Sequence, residues 1–80
     1  MEPSAEDVRR YLAEGLECEQ LQVEGDGQHF DALIVSRAFE GKSRVQRHQL
    51  VYAALGDRMR EEIHALSIKA LTPAQWQALQ

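Results

Sequence analysis

Three histidines and a single cysteine are the side chains of this sequence best suited to binding a metal or moving a proton near neutral pH. His64 stands where the period of the chain changes. Before it, Val45, His48, Tyr52, Leu55, Met59 and Ile63 recur at three- and four-residue steps, which predicts one buried helical face. After it, Leu66, Ile68 and Ala70 alternate with Ala65, Ser67 and Lys69, which predicts a strand. His64 is therefore expected at a helix-to-strand corner, where an imidazole keeps a fixed position within reach of solvent, a metal or a partner. The helix dipole alone also favours a protonated imidazole at that place. His29 falls in a glycine-rich hairpin loop next to Phe30, which is expected to let its ring swing toward a partner. His48 falls in mid-helix on or beside the apolar stripe and is expected to be a core or boundary residue. Cys18 is expected to be partly buried, its thiolate disfavoured by the like charges of Glu17 and Glu19.

Enzyme chemistry finds little support in these residue types. A hydrolase or transferase needs a nucleophile with a base and an orienting group, a phosphate-binding glycine loop or a metal-ligand pair at helical spacing. Gly25-Asp26-Gly27 is a turn signal with too few glycines for a phosphate loop, and Glu61 and Glu62 are adjacent, so they point away from each other on a helix. The chain is expected not to be an enzyme.

The elements that must position the histidines can be read from caps and periods. Ser4 suits an N-cap, with Glu6 and Asp7 in the first turn of a helix over Ala5 to Glu14 whose stripe is Val8, Leu12 and Leu16. Leu21 and Val23 mark a half-buried strand within Glu17 to Glu24. A second strand over Phe30 to Ser36 is apolar on both sides and so is expected at or near the centre of the sheet. Ser43 caps a helix predicted over Arg44 to Leu55, Gly56 breaks it, and a short helix is predicted over Asp57 to Ile63. A third strand over Ala65 to Leu71 leads to Thr72-Pro73, which suits the start of a last helical turn, with Trp76 as a lid at the core edge. The order helix, strand, strand, helix, helix, strand predicts an α+β two-layer sandwich with a three-stranded mixed sheet and its helices on one face. The whole of 1–80 is expected to be one domain.

Eighty residues can bury only a thin core, about 60–65% of the surface that the unfolded chain exposes. No apolar run approaches the roughly 20 residues of a membrane helix, and the acidic N-terminus is unlike a secretory signal, so the cytoplasm is the expected compartment. One cysteine allows no internal disulfide and no cysteine-rich metal cage. The net charge of −4 is uneven: residues 1–31 carry nine acids against Arg9 and Arg10, and residues 32–80 carry four acids against seven bases. Lys42, Arg44 and Arg47 form a basic cluster suited to phosphates or an acidic protein surface, although an acidic chain as a whole disfavours strong nonspecific nucleic-acid binding.

The segments Gly25-Asp26-Gly27-Gln28-His29-Phe30, Phe39 through Tyr52, and Ile63 through Ala70 followed by Thr72-Pro73 and Trp76 resemble the BolA family, and within it the short IbaG-like branch. The resemblance spans nearly the whole chain and implies a fold related to the class II K-homology domain. Nucleic-acid binding does not come with that fold automatically, since Ala53-Ala54-Leu55-Gly56-Asp57 lacks the Gly-x-x-Gly grip. It further implies a monothiol glutaredoxin partner in a heterodimer sharing a [2Fe-2S] cluster, for iron-sulfur trafficking or for iron or stress regulation. In the family a histidine at the start of the last strand is a cluster ligand; the matching residue is His64. The second ligand comes from the loop between the first two strands, which has no cysteine here and offers His29. The remaining ligands would be the partner's thiolate and a glutathione thiol. Alone, the chain is expected as a monomer or weak homodimer without a cofactor. Some family members are described as transcriptional regulators, so the alternative expectation is a DNA-binding protein using Lys42, Arg44 and Arg47.

Overall fold

The computed structural model describes residues 3–26, 28–58 and 65–80. Helix α1 (Ala5–Gly15) precedes strands β1 (Gln20–Gly25) and β2 (His29–Val35), a 3-10 turn at Arg37–Phe39, helix α2 (Arg44–Leu55), strand β3 (Ala65–Leu71) and a short helix α3 (Pro73–Ala78). Each of the three α-helices among the described residues starts with the same local device. Ser4, Ser43 and Thr72 accept the backbone N–H three residues on, while Asp7, Gln46 and Gln75 reach back to the cap's own N–H. These reciprocal bonds satisfy two otherwise unpaired amides at each start. Pro73 occupies the first turn of α3, where a missing N–H costs nothing. Gly56 ends α2 at φ +61°, a left-handed conformation that favours glycine.

The sheet order is β1-β2-β3. β1 and β2 are antiparallel, with Leu21 opposite Ile34 and Val23 opposite Ala32. β2 and β3 are parallel, with Phe30 beside Leu66, Ala32 beside Ile68 and Ile34 beside Ala70. The predicted central strand is therefore central, and the sheet is mixed. Because side chains alternate across a sheet, these registers gather Leu21, Val23, Phe30, Ala32, Ile34, Leu66, Ile68 and Ala70 on one face. That face packs with Val8 and Leu12 of α1, Val51 and Leu55 of α2, and Phe39. The opposite face presents Gln20, Gln22, Glu24, Asp31, Ser67 and Lys69, all exposed. At its far end Val35 is buried, where Trp76 of α3, itself half-buried, shares a cleft with Glu19, Gln20 and Val35.

One predicted face is rotated. Of the predicted stripe Leu55 is buried and His48 half-buried, but Val45 is 66% and Tyr52 40% exposed, while Val51 is buried and Leu50 and Ala54 pack beside the core. Both phases fit a 3.6-residue period. The one that buries Val51 instead of Tyr52 leaves the phenol in water and so escapes the cost of burying its hydroxyl. The short helix predicted over Asp57 to Ile63 lies largely outside the described residues, as do Met59, Ile63 and His64. Arg58, the last described residue before that gap, lays its guanidinium 4.1 Å from the centre of the Tyr11 ring, tying the end of this segment to α1. Among the described residues no helix is long and apolar enough to cross a membrane.

Candidate functional site

His29 is the first residue of β2, and its parallel partner in β3 is Ala65, the residue that follows His64 in the chain. The pairing begins with the Ala65 N–H donating to the Gln28 carbonyl at 3.1 Å. His29 is exposed. Its backbone is bonded into the hairpin. The carboxylate of Asp26 accepts the N–H groups of Gln28 and His29 through one oxygen, each at 3.0 Å, and the Asp26 N–H donates to the His29 carbonyl at 3.2 Å. These two accepted bonds, that from His29 first, hold the Asp26 carboxyl below the usual carboxylate range. Gly25 closes the hairpin on the other side: a Cβ there would run into the His29 carbonyl and reach 2.5 Å from the Phe30 ring.

The cysteine is elsewhere. Glu19, next to Cys18, donates its N–H to the Val35 carbonyl at the opposite end of β2 from His29, a separation of about 20 Å along the strand at the usual rise per residue. Burial, with a smaller opposing pull from Arg9, pushes the Cys18 thiol up. The predicted direction therefore holds, but desolvation is its cause in place of repulsion by Glu17 and Glu19. Among the described residues no group of three or more His, Cys, Asp and Glu side chains could hold a metal.

A second feature gathers the basic cluster. Lys42, Arg44, Arg47 and His48 face Lys69, Ala70 and Gln75 across a groove of about 420 Å³, and no carboxylate is among these described lining residues. Arg47 also has a structural task there. Its Nε donates to the Lys42 carbonyl at 3.0 Å, and one terminal nitrogen donates to the Ala70 carbonyl at 3.0 Å and to Gln75 Oε1 at 2.8 Å. One guanidinium thus pins the start of α2 to the end of β3 and to the cap of α3, the planar multi-donor use to which arginine is suited and lysine is not.

The family model for BolA-like proteins matches residues 11–75. The chain belongs to the BolA family. Acid stress protein IbaG of Escherichia coli is 41% identical over 71 residues, covering 88% of this chain and 84% of that protein. Human BolA-like protein 2 is 44% identical over 81 residues, covering 95% and 93%. A solved BolA homologue from Coxiella burnetii superposes with a TM-score of 0.86 at 39% identity, covering 94% of this chain and 97% of that one. The likeness to IbaG places this BolA-family chain in the IbaG-like branch.

Of the residues singled out in the BolA-like sequence, the fold brings Lys42, Arg44 and Arg47 together in one groove and sets His29 beside the entry to β3. His64 lies outside the described residues. His48 belongs to the groove, half-buried, and not to the hairpin end of the sheet. Sequence reasoning missed Lys69, which reaches the basic groove from β3, and the use of Asp26 as a hydrogen-bond acceptor. Asp26 carries a local signal, since an aspartate two and three residues ahead of amides in a tight turn is the spacing of an Asx-turn. Lys69 has no such signal, because only the placement of β3 beside α2 brings it to that groove.

Proposed function

We propose that this chain is a non-enzymatic adaptor that binds a monothiol glutaredoxin and supplies the imidazoles of His29 and His64 to a [2Fe-2S] cluster shared with the partner's thiolate and a glutathione thiol, in iron-sulfur trafficking or iron sensing. The observation that carries this reading is the parallel register of His29 with Ala65, which brings the loop between the first two strands against the chain immediately after His64. The donor set fits such a cluster as half of a site. Two histidines can serve one iron, as in a Rieske-type centre; the one cysteine, about 20 Å away at the other end of β2, cannot join them. Thiolates for the second iron must then come from another molecule. When bound, a cluster with imidazole on one iron has a higher potential than an all-thiolate one and a bond that protons can compete for. The chain's own part is to present exposed imidazole from an ordered strand end, with the hairpin carboxylate of Asp26 keeping that end in place.

The test is to mix the chain with a monothiol glutaredoxin, glutathione, iron and sulfide, and to isolate the complex. A visible-absorbing heterocomplex is expected, whose absorption and circular dichroism change on His64→Ala and on His29→Ala. Failure to form a coloured complex, or spectra that neither substitution alters, would refute the reading.

The groove favours a second reading, contact with a nucleic-acid backbone through Lys42, Arg44 and Lys69, which lie together although the chain as a whole is acidic. Substituting Lys42 and Arg44 by Ala is expected to lower the slope of log affinity against log salt for duplex DNA by about two. Salt-independent or absent binding of the wild-type chain would dispose of this alternative. Arg47 is a poor probe for it, because its removal also unpins α2 from β3.

A further inference from the structure

We propose that Asp26 is the positioning residue of the histidine site: through the amides it holds, it fixes the strand end that carries His29 and, by way of the Gln28 carbonyl, the entry of the chain into β3. This inference rests on the reading of His29 as a ligand and adds to it what aligns the site. The connection is a chain of four hydrogen bonds, two to the carboxylate and two between backbone groups. Asp26 Oδ1 accepts from Gln28 N and from His29 N, each at 3.0 Å. The Asp26 N–H returns to the His29 carbonyl at 3.2 Å, closing the turn. The carbonyl of Gln28, its peptide now oriented from both sides, accepts the Ala65 N–H at 3.1 Å.

One carboxylate therefore sets the direction of two peptide groups, and the second of these carries the first bond of the parallel pair. Without it the turn loses the acceptor that the Gln28 and His29 amides share. Asp26 is fully exposed, so its role is not that of a core residue. Its oxygen is spent on the backbone, and the His29 ring projects from the strand that this bonding arranges. Hydrogen bonds made to a ligating side chain itself are worth about 10- to 100-fold in metal affinity; Asp26 acts one step further out, on the backbone that carries the ligand, so the low end of that range is expected.

The test uses the full chain without a partner and the variants Asp26→Ala and Asp26→Asn. Asparagine keeps a carbonyl acceptor at the same place and removes the charge. Amide hydrogen exchange is read at Gln28, His29 and Ala65. Exchange is expected to speed up about tenfold in Asp26→Ala, the loss of a charge-assisted bond, and to stay within about threefold of wild type in Asp26→Asn. Zn²⁺ is then titrated as the probe metal and followed at the His29 ring resonances, with about tenfold weaker binding expected in Asp26→Ala and recovery in Asp26→Asn. If Asp26→Ala exchanges and binds Zn²⁺ like wild type, the positioning role is overturned while the ligand reading stands. If Asp26→Asn is as impaired as Asp26→Ala, charge and not amide bonding is responsible, and the proposal is likewise overturned. If the wild-type His29 ring does not respond to Zn²⁺, the exchange data alone decide whether Asp26 holds the strand end, and the ligand reading is decided by the spectra of the cluster complex.

Discussion

Phe30→Ala is expected to destabilise the chain by about 3–5 kcal/mol, the cost of deleting a fully buried aromatic side chain and leaving a cavity. Phe30 is 1% exposed and sits on the central strand, where it meets Leu66 of β3 on one side and Gly25 of β1 on the other. Its ring belongs to the core shared with Val8, Leu12, Val51 and Leu55. A domain of this size has no reserve core, and total stabilities of about 5–15 kcal/mol are usual, so the loss consumes a large fraction of the whole. Urea unfolding followed by far-ultraviolet circular dichroism measures it. Val45→Ala is the control: Val45 is apolar and helical but 66% exposed, and its truncation should move stability by no more than about 0.5 kcal/mol. Equal costs for the two substitutions would mean that the sheet face assigned here as core is not the core.

The second large effect is expected from adding one methyl group. In Gly25→Ala the new Cβ meets the carbonyl of His29 and lies 2.5 Å from the Phe30 ring and 3.0 Å from Phe30 Cα. The ring can turn aside, but the carbonyl and the Cα are backbone and move only if β1 and β2 separate. Overpacking of this kind costs about 1–3 kcal/mol. The displacement falls on His29 itself, so the amide shifts of His29 and Phe30 should change together with the unfolding midpoint. Gly25 and Phe30 are register partners, so the costs of Gly25→Ala and Phe30→Ala should fail to add. The double variant removes the clash with the ring and keeps the clash with the carbonyl. An unchanged midpoint in Gly25→Ala, with His29 undisturbed, would show that the hairpin has slack which these distances deny.

Both effects concern the turn before β2, and that turn shows where sequence reading succeeds. Gly25-Asp26-Gly27 identifies it as a turn because glycine and aspartate act on their immediate neighbours. The same holds at the helix starts, where Ser4 with Asp7, Ser43 with Gln46 and Thr72 with Gln75 complete their bonds within four residues. It does not extend to the backbone at His29. The glycines of the loop give no sign of the bonds from the Gln28 and His29 amides to the Asp26 carboxylate, or of the close packing at Gly25. In α2 the bounds Arg44–Leu55 agree with the caps, but the buried face is turned from Tyr52 to Val51. A period of 3.6 gives the repeat of an apolar stripe and leaves its phase to whatever the helix packs against.

By itself the sequence determined the kinds of element, their order and most of their ends, because periodicity and capping are interactions between residues a few positions apart. It also determined that a single cysteine cannot supply all the thiolates of an iron-sulfur cluster. Only the tertiary structure decided the register that sets Ala65 beside His29 in the parallel pair, that Cys18 stands at the far end of that strand, and that Lys69 joins Lys42 and Arg44 around an Arg47 already bonded to three acceptors. These neighbours are remote in the chain. No local preference encodes a parallel pairing, whose register follows from burying one apolar sheet face under two helices, so the site becomes a place only when the core forms.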